Sequence, residues 1–146
     1  MRIRTVTKQD LGACARILAK EFKKQGEPWT VETAKNRLAD FLFLEKHDRA
    51  LNFVLEQDSK IIGFAFNEII HYFQGKILWL GELAIDSNFQ GKGFGKEALE
   101  FIEKAAKKKG LKTIILTTNK KENAFKIYKK LGYKQTNYFF MEKNLK

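Results

Sequence analysis

Residues 79–105 read WLGELAIDSNFQGKGFGKEALEFIEKA. A largely apolar stretch ends at Asp86, Gly91, Gly93 and Gly95 follow at alternate positions, and a helical pattern begins at once. Ala98, Leu99, Ile102 and Ala105 form its apolar stripe. A strand, glycine turn and helix joined in this way let successive backbone N–H groups turn toward one anion. The helix adds its unpaired donors and the positive end of its dipole. The chemistry implied is main-chain binding of a pyrophosphate, with Lys92 and Lys96 as auxiliary charge. Two nucleotide-binding patterns do not fit. The Walker pattern needs Ser or Thr after its Lys, but Glu97 follows Lys96. The dinucleotide fingerprint needs G-x-G-x-x-G at the first strand–helix turn, and here G-x-G-x-G comes after several strands. Glycines alone would also suit a plain tight turn.

Upstream, Ile3–Thr7 alternates as a short strand, and Gln9-Asp10 opens a helix with Leu11, Cys14, Ile17, Leu18 and Phe22 at helical spacing. Gly26, Pro28 and Trp29 form a loop. Thr30 is a good N-cap, but Thr33 stands where a capping box has Glu, so half of that motif is expected. This second helix is predicted to run to about Leu44. Asn52–Gln57 and Lys60–Tyr72 read as strands joined by a tight turn at Asp58-Ser59. Gln74-Gly75 turns into a third strand, Lys76–Asp86. Downstream, the helix from about Phe94 to Lys109 stops at Gly110. Thr113–Thr118 has the apolar run of a buried central strand. Glu122–Leu131 is a helix ended by Gly132, and Tyr133–Glu142 is expected to supply a last strand or strand pair. The order is βααβββαβαβ, antiparallel first and then a βαβ crossover.

The 146 residues suit one domain spanning 1–146, and 44% hydrophobic content allows a sizeable core. One cysteine, Cys14, excludes an intrachain disulfide and a thiolate-rich metal site, and no metal is expected. No signal-like apolar core opens the chain, and no apolar run nears the roughly 20 residues of a membrane span. A soluble cytoplasmic protein with no membrane partner is expected. The net charge of +11 is uneven, with 14 Lys against 5 Glu in residues 96–146. Such a lobe attracts nucleic acid, a membrane surface or a polyphosphate cofactor, although many of these lysines suit a plain solvated surface.

The stretch Gln90-Gly91-Lys92-Gly93-Phe94-Gly95 resembles the Gln/Arg-x-x-Gly-x-Gly/Ala signature of the GCN5-related N-acetyltransferases, the GNAT superfamily. ENAFKIYKKLGYK is similar to that family's second motif, carried here by Ala124, Tyr128, Gly132 and Tyr133. The resemblance covers the whole chain order. PWTVETAKNRL and the GELAID strand are similar to a subgroup acting on small-molecule and peptide amines. One position departs: the second motif usually has Asn seven residues before its Tyr, where Lys121 stands, with Asn119 and Asn123 close by to serve instead. The resemblance implies an α+β fold, a mixed sheet of about six or seven strands with about four helices. It also implies acetyl-coenzyme A as acyl donor and a small-molecule or peptide amine as acceptor. A homodimer is compatible with it.

Acetyl transfer from a thioester to an amine requires loss of a proton, alignment of the carbonyl with the nitrogen, and stabilisation of the oxyanion. The resemblance implies backbone contacts to the cofactor from Leu83 and Ile85 and a main-chain N–H near Ala84 on the acetyl carbonyl. Strict strand alternation puts Trp79, Gly81, Leu83 and Ile85 on one face and Leu80, Glu82, Ala84 and Asp86 on the other. Glu82 is then a carboxylate among apolar neighbours, where desolvation raises its pKa toward that of a working base. The resemblance gives Tyr128 the role of general acid toward the leaving thiolate. His71, Tyr72 and Phe73 after the second long strand, with Trp29, are candidate acceptor contacts. His47 lies in KHDR, which reads as an exposed loop, and Cys14 as a helix core residue. Two other classes compete: a basic nucleic-acid binder, disfavoured because no reader motif is present, and a coenzyme A-binding module without catalysis, disfavoured by Glu82 together with Tyr128.

Overall fold

A computed structural model describes residues 1–43, 51–73 and 75–145 of the chain. His47, Gln74 and the expected helix end at Leu44 lie outside them. The strands β1 (Arg2–Thr5), β2 (Phe53–Gln57), β3 (Lys60–Tyr72), β4 (Gly75–Ile85) and β5 (Ile114–Leu116) form one sheet in chain order. The first three pairings are antiparallel, and β4–β5 is parallel. The turn between β2 and β3 is made by Asp58 and Ser59, both at positive φ, which suits the twist of a tight hairpin.

Helices α1 (Leu11–Lys23) and α2 (Val31–Phe43) cover one face of the sheet. Cys14, Leu18, Leu38 and Phe41 pack there on Val54, Phe64, Phe66 and Ala84. Helices α3 (Phe94–Lys108) and α4 (Asn123–Lys130) cover the other. There Leu99, Ile102 and Tyr128 meet Phe53, Ala65, Leu78 and Leu80. Thr33 completes the cap of α2 without a Glu. Its N–H donates to Thr30 Oγ1 at 3.0 Å, and the Thr30 N–H donates to Thr33 Oγ1 at 3.0 Å. The short hydroxyl does the reciprocal work expected of a longer carboxylate.

Four expectations change. The described sheet has five strands, not six or seven. The Thr113–Thr118 segment contributes only Ile114–Leu116, half-buried at the end of the sheet rather than central. Residues 134–145 form no strand, and Tyr138, Phe139, Phe140 and Met141 are 79 to 93% exposed. That apolar run has no two-residue alternation, so nothing in it selects a register. A three-residue edge offers it little ladder.

The fourth change is in the faces of β4. The β3–β4 register pairs Phe66 with Glu82 but Asn67 with Leu80, so Gly81 is an extra residue, a β-bulge. Alternation restarts there. Leu78, Leu80, Leu83 and Ile85 pack toward α3, while Glu82 and Ala84 face α1 and α2. Leu80 and Glu82 are therefore on opposite faces, contrary to strict alternation, and Leu80 joins Leu83.

Candidate active site

Beyond Leu80, β4 loses its parallel neighbour. The β4–β5 pairing ends at Leu80↔Leu116, so Gly81–Ile85 has ladder partners only on β3 among the described residues. An edge without a partner strand this deep in a sheet can take an extended ligand as a further strand. Gly81 has a second effect. A Cβ on it would overlap the Phe41 ring, so its bareness lets α2 come down onto β4. Buried Asn52 and Asn67 hold that approach. Asn52 Nδ2 donates to Phe41 O at 3.2 Å, the Asn67 N–H to Asn52 Oδ1 at 2.7 Å, and Asn67 Nδ2 to Leu51 O at 2.6 Å.

Glu82 projects from this edge toward α2. Arg37 Nε donates to its Oε1 at 2.9 Å. Burial raises the Glu82 carboxyl above its ordinary value; Arg37 opposes the rise and Glu27 adds to it. Glu27 accepts a 2.8 Å bond from Trp29 Nε1 and also raises Glu122, just before α4. Glu27 thus acts electrostatically on both Glu82 and Glu122, a negative influence shared by two carboxylates in a chain of net charge +11.

Tyr128 approaches from the other face. It is buried in the α3–α4 core with its ring edge-on to Tyr133 at 5.5 Å. Burial, with a smaller contribution from Glu122, pushes its hydroxyl up to about 12, so it stays protonated at neutral pH.

The glycine turn follows β4 after a single 3-10 turn, Ser87–Phe89. Gly91 and Gly93 take φ of 75° and 87°, the left-handed region that favours glycine, and nothing lies within 4 Å of a Cβ built on either. Gly93 caps α3, and the Glu97 N–H bonds back to Gly93 O at 3.0 Å. The N–H groups of Phe94, Gly95 and Lys96 then lie in the first turn, where no intrahelical carbonyl reaches them. Lys92 sits with Nζ 5.3 Å over the Phe89 ring, and Lys96 reaches Glu100 at 3.6 Å. These features fit a polyphosphate: an open concave backbone, free donors and flanking cations.

Gln90 turns inward. Its Nε2 donates to Ile85 O at 2.7 Å and lies 3.4 Å from Glu21 Oε2. Glu21 is 6% exposed and also receives the Ser87 N–H at 3.0 Å. Asp86 accepts the Asn88 N–H at 2.9 Å and pairs with Lys20 at 2.9 Å. The turn is therefore braced from α1. Asn119 uses its Oδ1 to accept the Lys121 N–H at 3.0 Å, while Asn123 is exposed in the first turn of α4.

The structure brings Glu82, Leu83, Ala84, Ile85, Tyr128 and the glycine turn to one end of β4, with Trp29 linked through Glu27. His71, Tyr72 and Phe73 are exposed at the far tip of the β3–β4 hairpin. His71 is five residues along β3 from Phe66, roughly 17 Å at about 3.3 Å per residue. A cleft of about 380 Å³ lined by Lys76, Lys109 and Lys112 lies at that same far end of the sheet. Cys14 is fully buried, and burial pushes its thiol up to about 12, so it is inert. Among the described residues no His, Cys, Asp and Glu cluster could hold a metal, and no helix is long and apolar enough to cross a membrane.

Arg37 and Glu21 were not singled out in the sequence, though helical spacing marks both. Arg37 is three residues after buried Ala34, and Glu21 three after buried Leu18. Each is a charge on an apolar stripe.

Known proteins resemble the chain in sequence and in fold. The chain is 31% identical over 108 residues to the [ribosomal protein bS18]-alanine N-acetyltransferase of Haemophilus influenzae, covering 74% of this chain and 66% of that one. It is 27% identical to an uncharacterized N-acetyltransferase of Methanocaldococcus jannaschii, covering 91% of this chain and 60% of that one. It thus spans less than two thirds of the length of either relative. A possible acetyltransferase from Clostridium difficile 630 shares the fold with a TM-score of 0.82 at 18% identity, over 99% of this chain and 97% of that one. The model of the acetyltransferase (GNAT) family matches residues 13–133, which take in the open β4 edge, the glycine turn and Tyr128, and the chain belongs to that family.

Proposed function

We propose that this chain transfers the acetyl group of acetyl-coenzyme A to a primary amine of a small molecule or peptide by direct attack, with Glu82 as base and Tyr128 as acid. The observation that carries the proposal is the edge of β4 from Gly81 to Ile85, which has no second neighbouring strand among the described residues, its last carbonyl, that of Ile85, being held by Gln90 Nε2. The glycine turn lies at its end, Glu82 on one face and Tyr128 on the other. Bound acetyl-coenzyme A supplies an activated thioester. The turn from Gly91 to Lys96 holds the pyrophosphate, with Lys92 and Lys96 nearby, and the main chain of Leu83 and Ile85 pairs with the pantetheine arm. The N–H near Ala84 polarises the acetyl carbonyl. Glu82 takes the proton that the acceptor ammonium must lose before its nitrogen can attack. Tyr128, still protonated at neutral pH, gives its proton to the sulfur as the carbon–sulfur bond breaks. The carboxylates Glu27, Glu82 and Glu122 attract a cationic acceptor.

The Haemophilus relative's printed acceptor is a protein alanine, so a peptide beginning with alanine belongs in the acceptor panel beside small amines and an aminoglycoside. Calorimetry with acetyl-coenzyme A comes first, followed by thiol release across that panel. Saturable binding should raise stability by about 2.7 kcal/mol at a hundredfold excess over Kd. No binding at millimolar ligand would remove the proposal. Binding with no turnover on any amine would leave a coenzyme A-binding module instead.

A further inference from the structure

We propose that Arg37 is the positioning residue of this site: it occupies one oxygen of Glu82 and leaves the other as the single point where the acceptor's proton is taken. The inference rests on the reading of Glu82 as base. Arg37 Nε donates to Oε1 at 2.9 Å, and among the described residues no donor reaches Oε2. A carboxylate free on both oxygens would rotate and share its basicity between them. One anchored through the planar guanidinium presents Oε2 in a fixed direction. Arg37 is itself held, because its guanidinium carbon lies 4.7 Å above the Phe41 ring, and Phe41 is seated against bare Gly81. The bulge that turns Glu82 toward α2 therefore also admits the ring that steadies its partner.

The electrostatics point the same way. The charged groups acting on Glu82 are Arg37 from α2 and Glu27 from the loop between α1 and α2. Buried Phe66 on β3 and Ala84 on β4 contribute no charge. Burial and Glu27 both favour the protonated carboxyl, which is useless as a base, and Arg37 alone opposes them. Removing the guanidinium leaves only influences that raise Glu82. The acid side of the activity profile then moves to higher pH, and each unit of movement costs about tenfold in ionised base below it.

The test is the pH dependence of kcat/KM for Arg37→Gln, Arg37→Lys and Arg37→Met, with Glu82→Gln and the double variant Arg37→Gln/Glu82→Gln alongside. Expected for Arg37→Gln and Arg37→Met is an acid limb moved up by about one unit or more. Activity on the acid side of that limb should fall about tenfold for each unit of movement and recover as pH rises, with Kd for acetyl-coenzyme A unchanged. Arg37→Lys should restore part of the shift, since charge returns without the planar guanidinium and its Nε donor. The double variant should be no slower than Glu82→Gln. A merely structural Arg37 would lower activity by the same factor at every pH and bring thermal stability down with it, and that result overturns the proposal. So does an Arg37→Gln profile with an unmoved acid limb while Glu82→Gln abolishes it. If Glu82→Gln keeps wild-type activity at every pH, the failure lies with the base assignment and takes this inference with it.

Discussion

Glu82 sits between opposed influences, and its behaviour on substitution follows from their signs. Burial raises its carboxyl, so the folded chain holds a proton there at pH values where the unfolded chain has lost it. Its contribution to stability therefore falls as pH rises from the ordinary Glu value through the raised one. Glu82→Gln removes that burden and the base together. The variant should melt no lower than wild type at neutral pH by calorimetry. Turnover at pH 7 should drop roughly a hundredfold, partly recovered at alkaline pH where the acceptor is already neutral. Undiminished turnover across the pH range would exclude Glu82. Tyr128 differs, since its buried ring supports the core whatever its hydroxyl does. Tyr128→Phe keeps that ring, so it should slow single-turnover transfer roughly tenfold to a hundredfold with little change in melting, less than loss of the base because thiolate leaves fairly well unaided. Single-turnover rates equal to wild type would reduce Tyr128 to packing.

Elements decide what those residues can reach. The joint between β4 and α3 is the clearest case, because its form was legible in the sequence down to the glycine spacing. Gly93 is at φ 87° with open space where a Cβ would point. Gly93→Val meets no protein atom, so its cost is conformational, about 1–2 kcal/mol. It should nonetheless fill the concavity, and coenzyme A affinity measured by calorimetry should collapse in a folded protein; unchanged affinity would make the turn only a turn. The bulge at Gly81 was not legible, because alternation of residue types looks the same whether or not one residue is skipped. Only pairing with β3 reveals it. Gly81→Val drives its side chain into the Phe41 ring. A loss of about 1–3 kcal/mol should follow, along with an alkaline shift of the acid limb as α2 withdraws Arg37. Phe41→Leu in the same chain should restore part of the stability, and a Gly81→Val enzyme with a wild-type profile would show that α2 need not lie so close. The Thr30–Thr33 cap was half legible, since a hydroxyl in place of a carboxylate reads as a gap until its bond is seen.

In the molecule as a whole, the sequence disclosed the element order through α4 and the change from antiparallel to parallel pairing. It misjudged the sheet's far edge because an apolar run signals burial without saying against what. Ile114–Leu116 proved to be such a run at an edge, and Tyr138–Met141 another with no partner strand. The charged partners of the site were missed for a related reason: periodicity marks Arg37 and Glu21 as inward-facing, and only tertiary approach tells what they meet. The long β3–β4 hairpin, running from Gly63↔Ile85 to Tyr72↔Gly75, bears on the order in which the molecule comes together. Its strands are neighbours in the chain, so closing it loses little loop entropy, whereas β5 must wait for the α3 crossover and α2 must return across the sheet. The hairpin should be the structured part of the folding transition state. In stopped-flow experiments Phe64→Leu should mainly slow refolding and Leu38→Ala should mainly speed unfolding; the reverse pattern would place the nucleus among the helices. On this route the strand bearing Glu82 is laid down while its carboxylate is still in water, and the helix that dehydrates it is the one that delivers the guanidinium. At no stage of folding does the chain have to bury that charge before its counter-charge arrives.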